Sequence, residues 1–552
     1  MKKHSIKRTV SLVAAALMSV SGLAGCSSGS VTGLEDFNKR PNKVSIVYRQ
    51  DNAYGKEWIT EVAREYMTNY NDDTYIYLQP SLGEDFTKIQ TSSAPADLYL
   101  FDQSLVELEG FVEDMTDVWN SYAIGEEGKE GAKLIKDKLS PLLKSWRDEE
   151  NTRAYSLPYS QGTTYGFVYN KTVLDEAFPD GYTLPRTTAE LFEFGDKVKT
   201  VDLPNVKKVD QDVYLMSCSL GDNYENLKYS QVTWFFQLIG EEKAEQFFEG
   251  RYWDETTSKF LFDETKPTVY EAYKEELMEF YTIVDTLMSR QNNYVHKDAA
   301  SMDYTYASGV EAGAGFKGMP AKTVFKVDAP YFESETKVFL EGMKNRNQEQ
   351  TMGMMRFPIA SGIINRLDSV NDEATLRAVI DYVDGVTETK PAGVSDADIE
   401  EVADARGMTS MFTGGGMVIP KTSANKKGAK DFIRFMCSDT AAIVAAKALN
   451  GLELLPYGKT VSNEELGFKK SHFLETVSEW NTKNTILASD DGAFATWGNF
   501  YVGIEANTIC YTIFRGNGVG AENWWKNNYD AYAYDWSVRV KDYKSHGYST
   551  AN

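Results

Sequence analysis

The chain has 552 residues, a formal net charge of −23, and 13% aromatic residues. That length implies more than one domain or one large two-lobed unit with a sizeable core. The acidic balance excludes a nucleic-acid binder, which needs a basic footprint. Four cysteines without a CxxC pair exclude a disulfide scaffold and a zinc site.

The first residues read as a targeting segment. Lys2, Lys3, Lys7 and Arg8 form a basic region, and Val10 to Val20 is an apolar run too short to span a bilayer comfortably. Leu23-Ala24-Gly25-Cys26 follows and resembles a bacterial lipobox. That resemblance implies a signal peptide at 1–25, cleavage before Cys26, and acyl chains on Cys26 that hold the protein to the membrane. The Ser/Gly-rich stretch at 26–42 then reads as a flexible tether. Loss of the four cations brings the net charge from −23 to −27. Cys218, Cys437 and Cys510 remain, expected as buried free thiols with one disulfide at most.

Val44 to Tyr48 reads as a buried strand. Ile59, Val62, Ala63, Tyr66, Met67 and Tyr70 then mark one apolar stripe of a helix. Tyr75 to Leu78 and Asp97 to Phe101 read as further strands, with a short helix over Glu84 to Ser92 between them. Strands alternating with helices imply a parallel sheet covered by helices. Leu157 to Asn170 is an extended aromatic segment, and Pro158 biases Leu157 away from helix. Thr187-Thr188-Ala189-Glu190 is a capping box. Gln231 to Ile239 reads as a buried helix, Tyr252 and Phe260 to Phe262 as a strand pair, and Tyr270 to Ser289 as one long helix. Met411 to Pro420 is a Gly-rich strand leading into a helix with Ala429, Phe432, Ile433 and Met436 on its apolar face. Asn450-Gly451 is a helix stop.

Catalytic signatures are absent. There is no HExxH, GxSxG or Walker A, and His296, His472 and His546 are scattered. Gly313 to Gly318 fits GxGxxG, but Pro320 follows at once and no βαβ unit surrounds it, so a dinucleotide site is rejected. No cofactor is expected. The chain's 33 Tyr, 28 Phe and 10 Trp offer flat apolar platforms of the kind that sugar rings require.

The order of several segments carries a resemblance. EDFTKIQTSSAPADLYLFDQ, LPYSQGTTYGFVYN, the Pro185, Thr187, Glu190 and Leu191 element, GGGMVIPKTSANKKGAKDFIRF, LELLPY and AFATWGNF run through the chain as they do in the family 1 bacterial extracellular solute-binding proteins. The resemblance implies an α/β, two-lobed, periplasmic-binding-protein-like fold of type II, with a ligand cleft between lobes joined by crossing strands. Crossings are expected near 158–163, 411–416 and 485–490. Lobe 1 is expected over 43–158 and 414–485, and lobe 2 over 160–412 and 488–552. The 320–410 region is longer than the family pattern and is read as an insertion.

Ligands of such sheets lie at the carboxyl ends of strands. The expected solute-binding residues are therefore Arg49, Tyr54, Asp102, Gln103, Tyr159, Gln161, Thr163, Tyr229 and Trp234. The resemblance adds Phe316 and Trp497. It implies a monomeric, lipid-anchored binding protein on the extracytoplasmic face, without enzyme activity. Such a protein captures an oligosaccharide by hinge closure and delivers it to an ABC permease. Two alternatives stay open: the same fold binding a peptide, an organic anion or a metal chelate, and a surface protein that tethers or cleaves glycans.

Overall fold

The computed structural model describes residues 33–49, 54–81, 89–91, 96–101, 110–140, 143, 154–160, 163–203, 211–221, 227, 232–315, 321–412, 415–481, 487–488, 510, 513–516, 520–545 and 549–551. In chain order the elements used below begin with β1 (Asn42–Arg49), α1 (Glu57–Glu65), β2 (Thr74–Ser81), β3 (Leu98–Phe101), β4 (Leu157–Pro158), β5 (Thr163–Thr164) and β6 (Gly166–Asn170). Next come α2 (Thr188–Val198), β7 (Val213–Met216), α3 (Val232–Ile239), β8 (Arg251–Asp254), β9 (Lys259–Phe262), α4 (Lys274–Met288), α5 (Tyr304–Glu311), β10 (Lys322–Asp328) and β11 (Met352–Met355). The last are α6 (Glu373–Val383), α7 (Asp396–Gly407), β12 (Ser410–Phe412), β13 (Gly416–Val418), α8 (Lys426–Met436), α9 (Asp439–Ala448), α10 (His472–Asn481), β14 (Leu487–Ala488) and α11 (Ala521–Ser545).

Two sheets organise two lobes. The first has the order β2-β1-β3-β13-β4. Its strands β1, β2 and β3 are parallel, with Ile46 opposite both Leu78 and Leu98. Helix α1 buries Trp58, Ile59, Val62 and Ala63 on this sheet, and Tyr66 and Met67 continue the stripe through a π-helical turn. That core also takes Phe432, Ile433 and Met436 from α8 and Ala441 and Ala445 from α9.

The second sheet has the order β11-β6-β10-β7. Strand β6 is antiparallel to β10 and β11, and β7 is parallel to β10. Its core gathers Phe167, Phe194, Trp234, Phe235, Phe280, Tyr281, Val324 and Phe325. Thr187 caps α2, accepting from Glu190 N at 3.2 Å. The reciprocal half of the expected box is absent: Glu190 instead accepts from Arg186, whose backbone N lies 2.8 Å away and whose guanidinium also reaches it. The expected helix from 270 to 289 breaks at Tyr273, and α4 starts after it.

The extended segment 157–170, which holds the crossing expected near 158–163, is divided among three sheets. Strand β4 ends the first sheet, β6 joins the second, and β5 pairs with β12 in a small sheet of order β14-β12-β5. The 320–410 stretch also divides. Strands β10 and β11 are members of the second sheet, β10 between β6 and β7. Only the later part forms a satellite, where Ile359, Ile363, Leu376, Ile380, Val402 and Ala405 make a core of their own.

Cys218, Cys437 and Cys510 are buried and outside any disulfide, and burial pushes the Cys437 thiol up to about 12. Trp524, Trp525 and Trp536 of α11 pack against the body of the protein: Trp524 meets Tyr281, Trp525 donates to Tyr270 O at 3.1 Å and Trp536 to Asp263 O at 2.9 Å. Among the described residues no helix is long and apolar enough to cross a membrane.

Candidate ligand cleft

The carboxyl ends of β1 and β3 in one lobe and of β7 and β10 in the other bound the candidate cleft, where such sheets place ligands. On the first side β1 ends at Tyr48 and Arg49. Tyr48 is buried, and burial, with Glu57 adding, raises its phenol to about 12. Arg49 is exposed and Tyr54 is half-buried. Trp58, in the first turn of α1, lies flat on Tyr159, with centroids 5.9 Å apart and planes 5° apart.

Tyr159 leads out of β4 beside the Gly-rich crossing. Its backbone N donates to Gly415 O at 2.8 Å, and Gly415 N donates to Ser160 Oγ at 2.9 Å. A Cβ on Gly415 would fall 2.2 Å from Phe101 O and 2.3 Å from the Tyr159 ring. Only glycine allows that approach, so this residue sets the seat of Tyr159.

On the second side Lys326 and Asp328 have fully buried side chains, with Nζ 2.6 Å from Oδ2. Asp328 also accepts from Ala329 N at 2.9 Å and from the Tyr304 hydroxyl. Tyr304 reaches Glu335 as well. Burial first, then Asp328 and Glu335, hold the Tyr304 phenol far above its ordinary range. Lys326 Nζ stands 4.4 Å from the centre of the Tyr304 ring. Two turns further along α5, Glu311 is fully buried, and Thr323 donates to it at 2.6 Å. Burial pushes its carboxyl up to about 8.

The turn after Asp328 presents Tyr331 to the first lobe. Its ring meets Tyr54 edge-on, with centroids 5.9 Å apart and an interplanar angle of 86°. Trp58 and Tyr159 are buried in the first-lobe core, Tyr54 and Tyr331 are half-buried, and the Tyr54–Tyr331 pair is a ring contact between the lobes. Such a contact suits a ligand with apolar ring faces and hydroxyl donors.

Of the expected site residues, Tyr54 meets Tyr331 of the second lobe, Tyr159 is buried under Trp58 in the first-lobe core, and Arg49 is exposed at the end of β1. Thr163 lies in β5, opposite Phe412. Trp234 is a correction. It is fully buried in α3, donates to Pro358 O at 3.0 Å, and packs against Phe167 and Phe357. Every residue of α3 is buried, so none of its faces is left for a ligand. Asp102, Gln103, Gln161, Tyr229, Phe316 and Trp497, and the anchor residue Cys26, lie outside the described residues.

Trp58, Tyr304, Asp328, Tyr331 and Glu335 were not anticipated. The run Thr323 to Val327 followed by Asp-Ala-Pro-Tyr was a legible strand end, hidden by its assignment to an insertion. Of the GxGxxG stretch, Gly313 to Gly315 lie within the described residues. The stretch follows a helix, α5, and leads to a strand, β10, the reverse of the order a dinucleotide site needs.

Residues 52–210 match the profile of the bacterial extracellular solute-binding protein family. Solved structures resemble the chain over nearly its whole length. The GacH receptor of Streptomyces glaucescens, described unliganded and with acarbose, shares 14% identity at a TM-score of 0.50, covering 91% of this chain and 99% of that one. RafE of Streptococcus pneumoniae in its apo form shares 13% at 0.52, with 90% and 98% covered. Lmo0181 of Listeria monocytogenes, in complex with cycloalternan, shares 14% at 0.51, with 89% and 97% covered. At these identities the likeness carries the two-lobed α/β fold. No curated protein matches the sequence.

Proposed function

We propose, from the premise that residues 52–210 belong to the bacterial extracellular solute-binding family, that this chain captures an oligosaccharide for an ABC importer. The observation that carries the proposal is the aromatic contact across the lobes, Tyr54 against Tyr331, with Trp58 stacked on Tyr159 in the first-lobe core. A sugar covering the Tyr54 and Tyr331 rings gains contacts in the closed state that neither lobe offers alone. Closure follows because the ligand binds that state better. In this reading Cys26 carries the lipid anchor on the extracytoplasmic face, and a membrane permease receives the closed monomer. Asp102, Gln103, Gln161, Tyr229, Phe316 and Trp497 remain proposed contacts.

A glycan-cleaving carboxylate pair is disfavoured, because Asp328 is fully buried and already accepts from Lys326, Ala329 and Tyr304. A thermal-shift screen against acarbose, raffinose, cyclic glucans, peptides and organic acids tests the reading. Ligand at 100 times its Kd adds about 2.7 kcal/mol of stability. A shift confined to sugars supports it; a shift confined to peptides or anions overturns the substrate class.

A further inference from the structure

We propose that residues 329–336 form a strap that couples the floor of the cleft to helix α10, so that the joint between the lobes responds to what the cleft holds. Both ends of the strap are fixed to the second lobe. Ala329 N is held by Asp328 at 2.9 Å, and Tyr304 reaches both Asp328 and Glu335. Thr336 Oγ1 donates back to Phe332 O at 2.6 Å, and Pro330 removes a rotational freedom between the two ends.

The middle of the strap faces the first lobe at three successive residues. Tyr331 meets Tyr54. Phe332 is fully buried with the first-lobe core, its ring 6.2 Å from Phe473. Glu333 accepts from Ser471 Oγ at 2.6 Å. Ser471 and Phe473 open α10, and that helix is held on two sides. Toward the first lobe, Lys470 Nζ reaches Glu453 at 2.7 Å and Leu474 lies against Gly451. Toward the second, His472 Nε2 is 3.2 Å from Tyr169 Oη, and Thr476 Oγ1 accepts from Met354 N at 2.9 Å.

A helix shared by both lobes cannot stay still relative to both when they rotate. The strap touches it on one side and the cleft on the other. A ligand ring that displaces Tyr331 moves the neighbouring Phe332 and Glu333, and with them the start of α10. The inference rests on the two-lobed reading, but its first readout needs no ligand and stands or falls apart from the identity of the solute.

The test is the interlobe distance in the unliganded protein, measured by double electron–electron resonance between labels at Asp73→Cys and Lys259→Cys, both exposed positions. Ser471→Ala and Tyr54→Ala should each broaden the distribution toward longer distances, changing the ratio of closed to open forms roughly two- to tenfold for the ring pair. Glu333→Gln keeps an acceptor for Ser471 and should retain the parent distribution. Melting temperatures check that each variant is folded; should one variant not fold, the other decides. Unchanged distributions in Ser471→Ala and Tyr54→Ala, or an equal change in Glu333→Gln, would overturn the strap.

Discussion

Tyr457 donates its hydroxyl to the carbonyl of Pro158 at 2.7 Å, joining residues 299 positions apart. Both are buried, and Pro158 ends β4, where the chain leaves the first sheet. The LELLPY segment thus holds the end of β4 in place. Tyr457→Phe keeps the ring and leaves that carbonyl without its donor, a loss of about 1–3 kcal/mol for a buried acceptor. Urea unfolding should show a lower midpoint at unchanged slope. An unchanged midpoint would mean that the bond contributes nothing.

The Lys326–Asp328 pair makes a different kind of prediction. Lys326→Met should destabilise by about 3–5 kcal/mol, because it leaves a buried carboxylate uncompensated. Lys326→Met with Asp328→Leu should recover much of that loss, since no lone charge stays inside. A double variant as unstable as the single one would show that the charges themselves are needed.

Two buried groups give opposite pH dependences. His296 is buried, and burial lowers its pKa from 6.5 to about 4. The unfolded chain then binds more protons between those values, so stability is full above about 6.5 and is lost as pH falls toward 4. Glu311 has its carboxyl raised from 4.5 to about 8. Here the folded chain binds more protons, so its contribution is greatest below about 4.5 and is lost as pH rises toward 8. Chemical denaturation from pH 4 to 9 should show a shallower acid-side fall in His296→Gln and a shallower alkaline-side fall in Glu311→Gln. Slopes unchanged from the parent would contradict both assignments.

Much of this architecture was legible because its signals are local. The stripe of Ile59, Val62 and Ala63 needed only helical spacing, and β1, β2 and β3 announced themselves as apolar runs. Tyr54 and Tyr159 were proposed from position beside strand ends and crossings, and they stay proposals. Trp234 was misjudged because its place at a helix start suggested a corner, while VTWFFQLI is apolar on every side and therefore buried. Tyr331 and Asp328 were missed because membership of the second sheet depends on pairing with distant β6 and β7, which no local pattern records. Arg186 took Glu190 from its capping role through charge, a competitor that the capping box alone does not reveal.

The central claim is that both lobes grip a sugar at the Tyr54–Tyr331 contact. Isothermal titration of the soluble chain with tri- to pentasaccharides, alongside Tyr331→Ala and Trp234→Phe, tests it most directly. The account predicts one site per chain for one sugar series and a negative heat-capacity change from burying ring faces. Affinity should fall at least tenfold, about 1.4 kcal/mol, in Tyr331→Ala and stay near the parent value in Trp234→Phe. Binding that survives Tyr331→Ala unchanged, or a titration that responds only to a peptide or an anion, would contradict it.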